Sequence, residues 1–463
     1  MIVMKRENSL FRTVCNLAIP VALQSMLQAS FSIIDQIMIG QLGSVSVAGV
    51  GLAGKFSSIY SVLVSAIGAV AGIMISQYIG QQNQREIRRG FRVNLLLAAG
   101  IAGVFTALCI FSPRQIMRLY IQDANTLQVA AEYLLIVGGT FLPMAGATLF
   151  STLLRCMEKA SLPLYASIVA AVLNTGLNYL FIFGKLGISP MGARGAAIAT
   201  LVSQVANFLL ILLLFLKYRK SFTIRQDGEK NACEDLAVSE RQQKISERFD
   251  WKQYGSILLP IFICEFMWSL GENVYAAIYG QLGTEACAAM TLTNPIQGLM
   301  IGALCGLSQA AGILIGKMLG NRDYKEAYTA SKKLMAYGFV GSAILSLLIV
   351  LTSRFYVAIY QVEDSVRLLT RQILFAYAVI APFKVQNMIL GGGILRSGGK
   401  TKYVMVIDVV GTWCFGVPLG LLAAFVLGLS IPWVYLILSL EECVRFGISL
   451  KVFQGREWME SLK

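Results

Sequence analysis

The sequence predicts an all-α polytopic membrane protein, with twelve transmembrane helices arranged as two parallel six-helix bundles. Three observations carry that prediction. Apolar runs long enough to cross a bilayer fill most of the chain. The basic residues fall on alternate connections between those runs. The second half of the chain echoes the first.

Hydrophobic residues make up 56% of the 463 positions and charged residues 14%, against about 25% charged in soluble domains. A spanning helix needs about 20 mainly apolar residues. Twelve runs meet that length: 14–40, 47–79, 92–112, 130–153, 162–184, 193–216, 254–282, 286–316, 334–353, 368–395, 403–428 and 431–450. The second and eighth are long enough to hold an interfacial turn. A spanning sheet would instead show alternation in segments of about ten residues.

The net charge of +14 is a topology signal. The termini and alternate connections carry 29 Lys and Arg, the other connections 7, and only Lys55, Lys384 and Arg445 fall within spans. Without the long 217–252 connection the ratio is still 20 to 7. By the positive-inside rule both termini are cytoplasmic, in a multi-pass protein of the cell membrane. No basic-aromatic domain stands outside the spans, so no nucleic-acid partner is expected.

The echo has a period of 240 residues: Pro20, Gly40-Gln41-Leu42-Gly43 and Ala48 recur as Pro260, Gly280-Gln281-Leu282-Gly283 and Ala288. Gly72 through Gly80 recurs as Gly312 through Gly320, and Leu154-Arg155 recurs as Leu395-Arg396. So long a period marks duplicated halves, since solenoid repeats run about 20–50 residues. Residues 1–216 form an N-lobe of six spans, 217–252 a polar cytoplasmic linker and 253–463 a C-lobe of six. An even number of spans per copy gives both lobes the same orientation, as in parallel-repeat secondary transporters.

Ionisable residues inside a membrane are expensive and tend to be functional. Gln24, Gln28, Ser32 and Asp35 share one face of the first span, beyond the bending site at Pro20. A low-dielectric cavity favours the protonated carboxyl, so Asp35 reads as a proton carrier or cation ligand. The plain alternative is a polar residue at the outer interface. Asn174 and Asn178 share a face of the fifth span and serve either to hold Asp35, water or an ion, or as glue between helices. In the seventh span Glu265, Ser269, Glu272 and Tyr279 follow one face, flanked by Trp268 and Tyr275. That arrangement suits a cationic amphiphile through charge and cation–π attraction. Lys384, behind Pro382, is expected to pair with one of these acids. Asp408 reads as half of an interfacial ion pair. Glu441, Glu442 and Arg445 read as interfacial, near the cytoplasmic end of the last span. Gly68, Gly72, Gly312, Gly316 and Gly320 read as small-residue contact stripes.

Other chemistries lack their residues. The nine cysteines form no C-x-x-C pair, which suits buried thiols. The chain has no histidine and no P-loop pattern. A cofactor and a catalytic role are therefore not expected, and any pumping must draw on an ion gradient.

In order and spacing, several motifs resemble the multidrug and toxic compound extrusion (MATE) family over nearly the whole chain. They are Ala18-Ile19-Pro20 with Asp35-Gln36-Ile37-Met38-Ile39-Gly40; Leu154-Arg155 with Pro163, Asn174, Asn178 and Phe181-Ile182-Phe183-Gly184; Met191-Gly192 with Gly195-Ala196-Ala197; and Leu395-Arg396-Ser397-Gly398-Gly399-Lys400. The resemblance implies two six-helix lobes around a V-shaped cavity and export of amphiphilic, often cationic compounds against sodium or proton entry. By the same resemblance Asp35 matches the first-helix coupling carboxylate, and Asn174 lies in its fifth-helix partner motif. Many relatives carry Asp where this chain has Asn178. Lys384-Val385-Gln386 stands where the sodium-coupled branch has a tenth-helix acid, and Glu265 resembles the seventh-helix acid of some bacterial members.

The expectation is thus a monomeric, cation-coupled antiporter in the lipid bilayer, proton favoured, with sodium at Asp35 as the alternative ion. Asp35, Asn174 and Asn178 would hold the coupling cation. Gln24, Gln28, Glu265, Trp268, Glu272, Tyr275, Tyr279 and Lys384 would line the substrate cavity. A lipid-linked oligosaccharide flippase of the same superfamily is the nearer rival, and would need a large cationic cavity. A membrane-embedded transferase would need a clustered acidic metal motif or a catalytic histidine, which the sequence lacks.

Overall fold

The computed structural model describes residues 2–218 and 250–462 except 122, 186, 188 and 361. The expected linker lies almost entirely outside the described residues.

The protein is all-helical. Among the described residues eleven helices are long and apolar enough to span a membrane: α1 (Leu10–Gly40), α2 (Val45–Gly80), α3 (Gln84–Phe111), α4 (Ala124–Cys156), α5 (Ser161–Phe183), α6 (Gly192–Tyr218), α7 (Trp251–Gln281), α8 (Glu285–Gly320), α9 (Tyr324–Ala358), α10 (Asp364–Leu395) and α11 (Thr401–Val426). The expected twelfth span, 431–450, consists of two pieces, Ile431–Ser439 and Glu441–Gly455, joined at Leu440 and together called α12. Glu441, Glu442 and Arg445 interrupt its apolar run. The second and eighth runs, long enough to hold an interfacial turn, are continuous helices, α2 and α8.

The repeated Gly-Gln-Leu-Gly motif makes the same tight turn twice. Gly43 and Gly283 lie between α1 and α2 and between α7 and α8, with φ of 91° and 108°, a region that disfavours any side chain. On the lipid side Leu347, Leu351 and Phe355 form an exposed apolar stripe along α9. Lipid can cover such a stripe, so it need not be buried in protein.

The lobes meet where α1 and α7 begin and α2 and α8 finish. A Cβ on Gly306 would strike the backbone of Ala18 and Ala22, and one on Gly302 would lie 3.5 Å from Met26. Gly80 abuts the carbonyl of Lys317, and its repeat partner Gly320 abuts that of Gln77. Small residues thus let α2 and α8 cross at backbone distance, as the sequence stripes implied. Lys317 pairs with Glu158 at 2.6 Å, and Tyr254 donates to Asn94 at 3.0 Å. The C-terminal tail closes the same end. Gln77 donates to the carbonyl of Ser397 at 2.6 Å and accepts from the N–H of Leu462 at 2.6 Å, while Trp458 is completely buried. Among the described residues no cross-lobe hydrogen bond or ion pair lies beyond Met26 and Gly302. The faces that carry Gln28 and Ser32, and Glu272 and Ala276, are exposed there. The result is a V, open at the end opposite the termini.

Candidate functional site

Three polar sites lie inside the helical layer. In the N-lobe, α5 brings Asn178 to α1, where its amide donates to Asp35 Oδ1 at 2.5 Å and to Asn174 Oδ1 at 3.2 Å. Asn174 in turn donates to Ser203 of α6 at 3.3 Å. Asn178 is fully buried, and its own Oδ1 has no hydrogen-bond partner. Among the described residues Asp35 accepts no second side-chain bond. An oxygen of Asp35 and the orphaned Asn178 carbonyl therefore remain as hard donors for a small cation. Tyr133 of α4 stands within electrostatic reach of Asp35. Neither Tyr133 nor Ser203 belongs to a sequence pattern that would have singled it out.

In the C-lobe a cavity of about 300 Å³ opens among Glu272, Tyr275, Tyr279, Lys384, Glu441 and Glu442, with Tyr377, Tyr435 and Gln297 adding polar edges. The volume suits a small organic ligand. Of the cavity residues expected from the sequence, Glu272, Tyr275, Tyr279 and Lys384 line this pocket. Lys384 makes no ion pair within 4 Å among the described residues, so the expected bond to Glu265 or Glu272 is not present.

The other expected residues lie elsewhere. Glu265 points away from this pocket and pairs with Arg396 at 3.0 Å. Trp268 is 47% exposed and lines neither this cavity nor the one at the vertex. Gln24 is buried at the vertex, donating to Ser167 at 2.7 Å and accepting from Arg155 at 2.7 Å. Gln28 is exposed beyond it. Asp408 does form ion pairs, accepting from Arg445 and lying 3.9 Å from Arg396, and it also accepts from the thiol of Cys264. Glu441, Glu442 and Arg445 are buried, at 5%, 6% and 8% exposure. Tyr275 donates to Glu441 at 2.7 Å, Asn387 to Glu442 at 2.8 Å, and Arg445 lies 3.6 Å from Glu442. Reading the last span as ending near position 450 placed these three at its rim, whereas helix continues to Gly455 and draws them inward. Five carboxylates (Glu265, Glu272, Asp408, Glu441, Glu442) face three cations (Lys384, Arg396, Arg445), so the C-lobe network is formally acidic.

The third site lies at the vertex. A cavity of about 400 Å³ between the lobes is lined by Arg155 and Arg396, with Thr152, Ser308 and Gln309. The last eight residues of α10, Met388–Leu395, wind as a π-helix that Ser308 of α8 anchors at 2.6 Å through the carbonyl of Met388. Such segments often mark functional positions, and this one delivers Arg396 to the cavity wall.

A family model described as MatE matches residues 20–180 and again 260–422, two copies whose starts are 240 residues apart. The chain belongs to the MatE family. Curated relatives of this MatE chain include the "Probable multidrug resistance protein NorM" of Agrobacterium fabrum, 25% identical over 90% of this chain and 88% of that protein. Another is the "Uncharacterized transporter YisQ" of Bacillus subtilis, 21% identical over 92% and 90%. Among solved structures, a mutant of the Vibrio cholerae MATE transporter VcmN superposes with a TM-score of 0.83 at 15% identity, over 98% of this chain and 99% of that one. A MATE bound to MaL6 gives 0.83 at 18% identity, over 96% and 95%. The all-α, two-bundle fold drawn from the sequence is that of these structures.

Proposed function

We propose that this MatE protein is a monomeric, cation-coupled antiporter that exports amphiphilic, cationic compounds, with the proton as the favoured coupling ion and Asp35 as its carrier. The observation that carries the reading is the Asp35–Asn178 bond. It holds a carboxylate inside the helical layer with one oxygen uncommitted, beside an unpaired amide carbonyl. The acidic C-lobe pocket supports the substrate class, since Glu272, Glu441 and Glu442 with four tyrosines offer charge and π-faces to a cation. With cytoplasmic termini, the V opens to the outside. Exchange then requires ion and substrate to bias the two lobe arrangements oppositely. One proton entering down 100 mV supplies about 2.3 kcal/mol.

The test is ethidium efflux from proteoliposomes, with pH and sodium gradients imposed separately. Asp35→Asn is expected to abolish gradient-driven efflux while leaving equilibrium ethidium binding intact. Unchanged efflux would end the assignment of Asp35. A response to sodium alone would replace the proton as the coupling ion.

A further inference from the structure

Duplication placed the same contact in both lobes but charged it differently. In the C-lobe Arg396 donates to Glu265 at 3.0 Å and to Cys264 at 3.2 Å. Its repeat partner Arg155 reaches the repeat-equivalent helix α1, where Gln24 stands in place of Cys264 and Ser25 in place of Glu265. Arg155 therefore meets only neutral acceptors: Gln24 Oε1 at 2.7 Å and, across the lobe interface, Gln309 Oε1 at 2.6 Å. Its Nε is buried without a partner, and no carboxylate lies within 4 Å of it among the described residues. A guanidinium carries five N–H donors in a planar fork matched to carboxylate and phosphate. Leaving such a charge uncompensated inside a protein is costly unless a ligand or counter-ion completes it.

The space for that ligand is present. The vertex cavity of about 400 Å³ has Arg155 on one wall, an apolar wall of Ala69, Ile73 and Ile313, and room left by Gly72 and Gly392, while its Thr152 and Ser308 hydroxyls already donate to the carbonyls of Thr148 and Met388. Arg396 on the far wall is already neutralised by Glu265, so the net positive charge of the cavity belongs to Arg155.

We infer that the vertex cavity is an anion-binding site, in which Arg155 takes the carboxylate, sulfonate or phosphate group of an amphiphile whose tail lies along the apolar wall. This site is separate from the acidic C-lobe pocket, and the inference does not depend on the coupling assignment of Asp35. The probe is hexyl phosphate, titrated calorimetrically into the full-length protein in phosphatidylcholine nanodiscs. Wild type should bind it. Arg155→Gln should bind at least about tenfold more weakly, the loss of one charged hydrogen-bonding partner, and Arg155→Lys should fall between.

Ser25→Glu restores the acid that the C-lobe possesses. It should pair with Arg155, keep the protein folded and abolish hexyl phosphate binding without removing the guanidinium, so it decides the matter even if Arg155→Gln does not fold. Repetition in nanodiscs enriched in phosphatidylglycerol identifies the source. Competition by that lipid assigns the site to an anionic headgroup, and undiminished binding assigns it to a soluble amphiphile. A wild type that binds no hexyl phosphate, or a Ser25→Glu variant that binds it as tightly as wild type, overturns the inference.

Discussion

Tyr275, which occupies in α7 the repeat position of Asp35 in α1, donates its hydroxyl to Glu441 of α12 at 2.7 Å. Both lobes thus hold a carboxylate at this level, but from different helices: the first helix of the N-lobe and the last helix of the C-lobe. Gly416 of α11 makes room for the pair, since a Cβ there would strike both the Tyr275 hydroxyl and the Glu441 carboxylate.

Tyr275→Phe is expected to destabilise the protein by about 1–3 kcal/mol, the cost of stranding a buried acceptor. Thermal unfolding in detergent checks this. A melting temperature equal to wild type would mean that water replaces the hydroxyl.

The crossing of α2 over α8 depends on having no side chain at two repeat-related positions. Gly80→Val or Gly320→Val should therefore hold the vertex open. Spin labels at Lys159 and Arg322, both exposed, should report a longer distance than in wild type, and efflux should fall. An unchanged distance distribution would show that the helices slide to accommodate the methyl groups.

The C-terminal tail joins the lobes through Gln77, Gln81 and the 397–400 turn. Its anchor is Trp458, stacked on Phe453 with ring centroids 5.6 Å apart and donating to that residue's carbonyl at 3.1 Å. Trp458→Ala should cost about 3–5 kcal/mol of packing, most of it in tail docking. Amide exchange at 456–462 should rise well before global unfolding. Exchange that stays slow would mean the Gln77 and Gln81 bonds suffice.

Asp123 caps α4, accepting from the N–H of Thr126 at 2.8 Å and from its hydroxyl at 2.7 Å. These bonds, the backbone one foremost, hold its carboxyl below its ordinary value of 3.8. A folded value below the unfolded one means that the cap stabilises at neutral pH and loses that contribution as pH falls through the folded value. Asp123→Ala should therefore melt slightly lower than wild type at pH 7, with the gap closing in acid. A gap independent of pH would assign the effect to helix geometry instead.

Much of this architecture was legible in the chain because the bilayer imposes it. Span length, basic-residue asymmetry and the echo of glycines and prolines are local or periodic signals, and they sufficed for the helices and the two bundles. They failed where a residue's depth depended on its neighbours. Glu441, Glu442 and Arg445 read as a rim cluster because charges end an apolar run, whereas α12 carries them inward to meet Tyr275, Asn387 and Asp408. Glu265 and Glu272 shared a helix face in the sequence but serve different places, because Arg396 arrives from α10 and claims the first.

The sequence by itself determined a duplicated helical membrane protein, since apolar periodicity and a long repeat need no tertiary knowledge to be recognised, and a charge within a span marked Asp35 as a candidate. Only the tertiary structure decided which charges are neutralised. Ion pairing acts over about 3–4 Å between helices distant in sequence, and at that range Arg396 meets a carboxylate while its repeat partner Arg155 meets two amides.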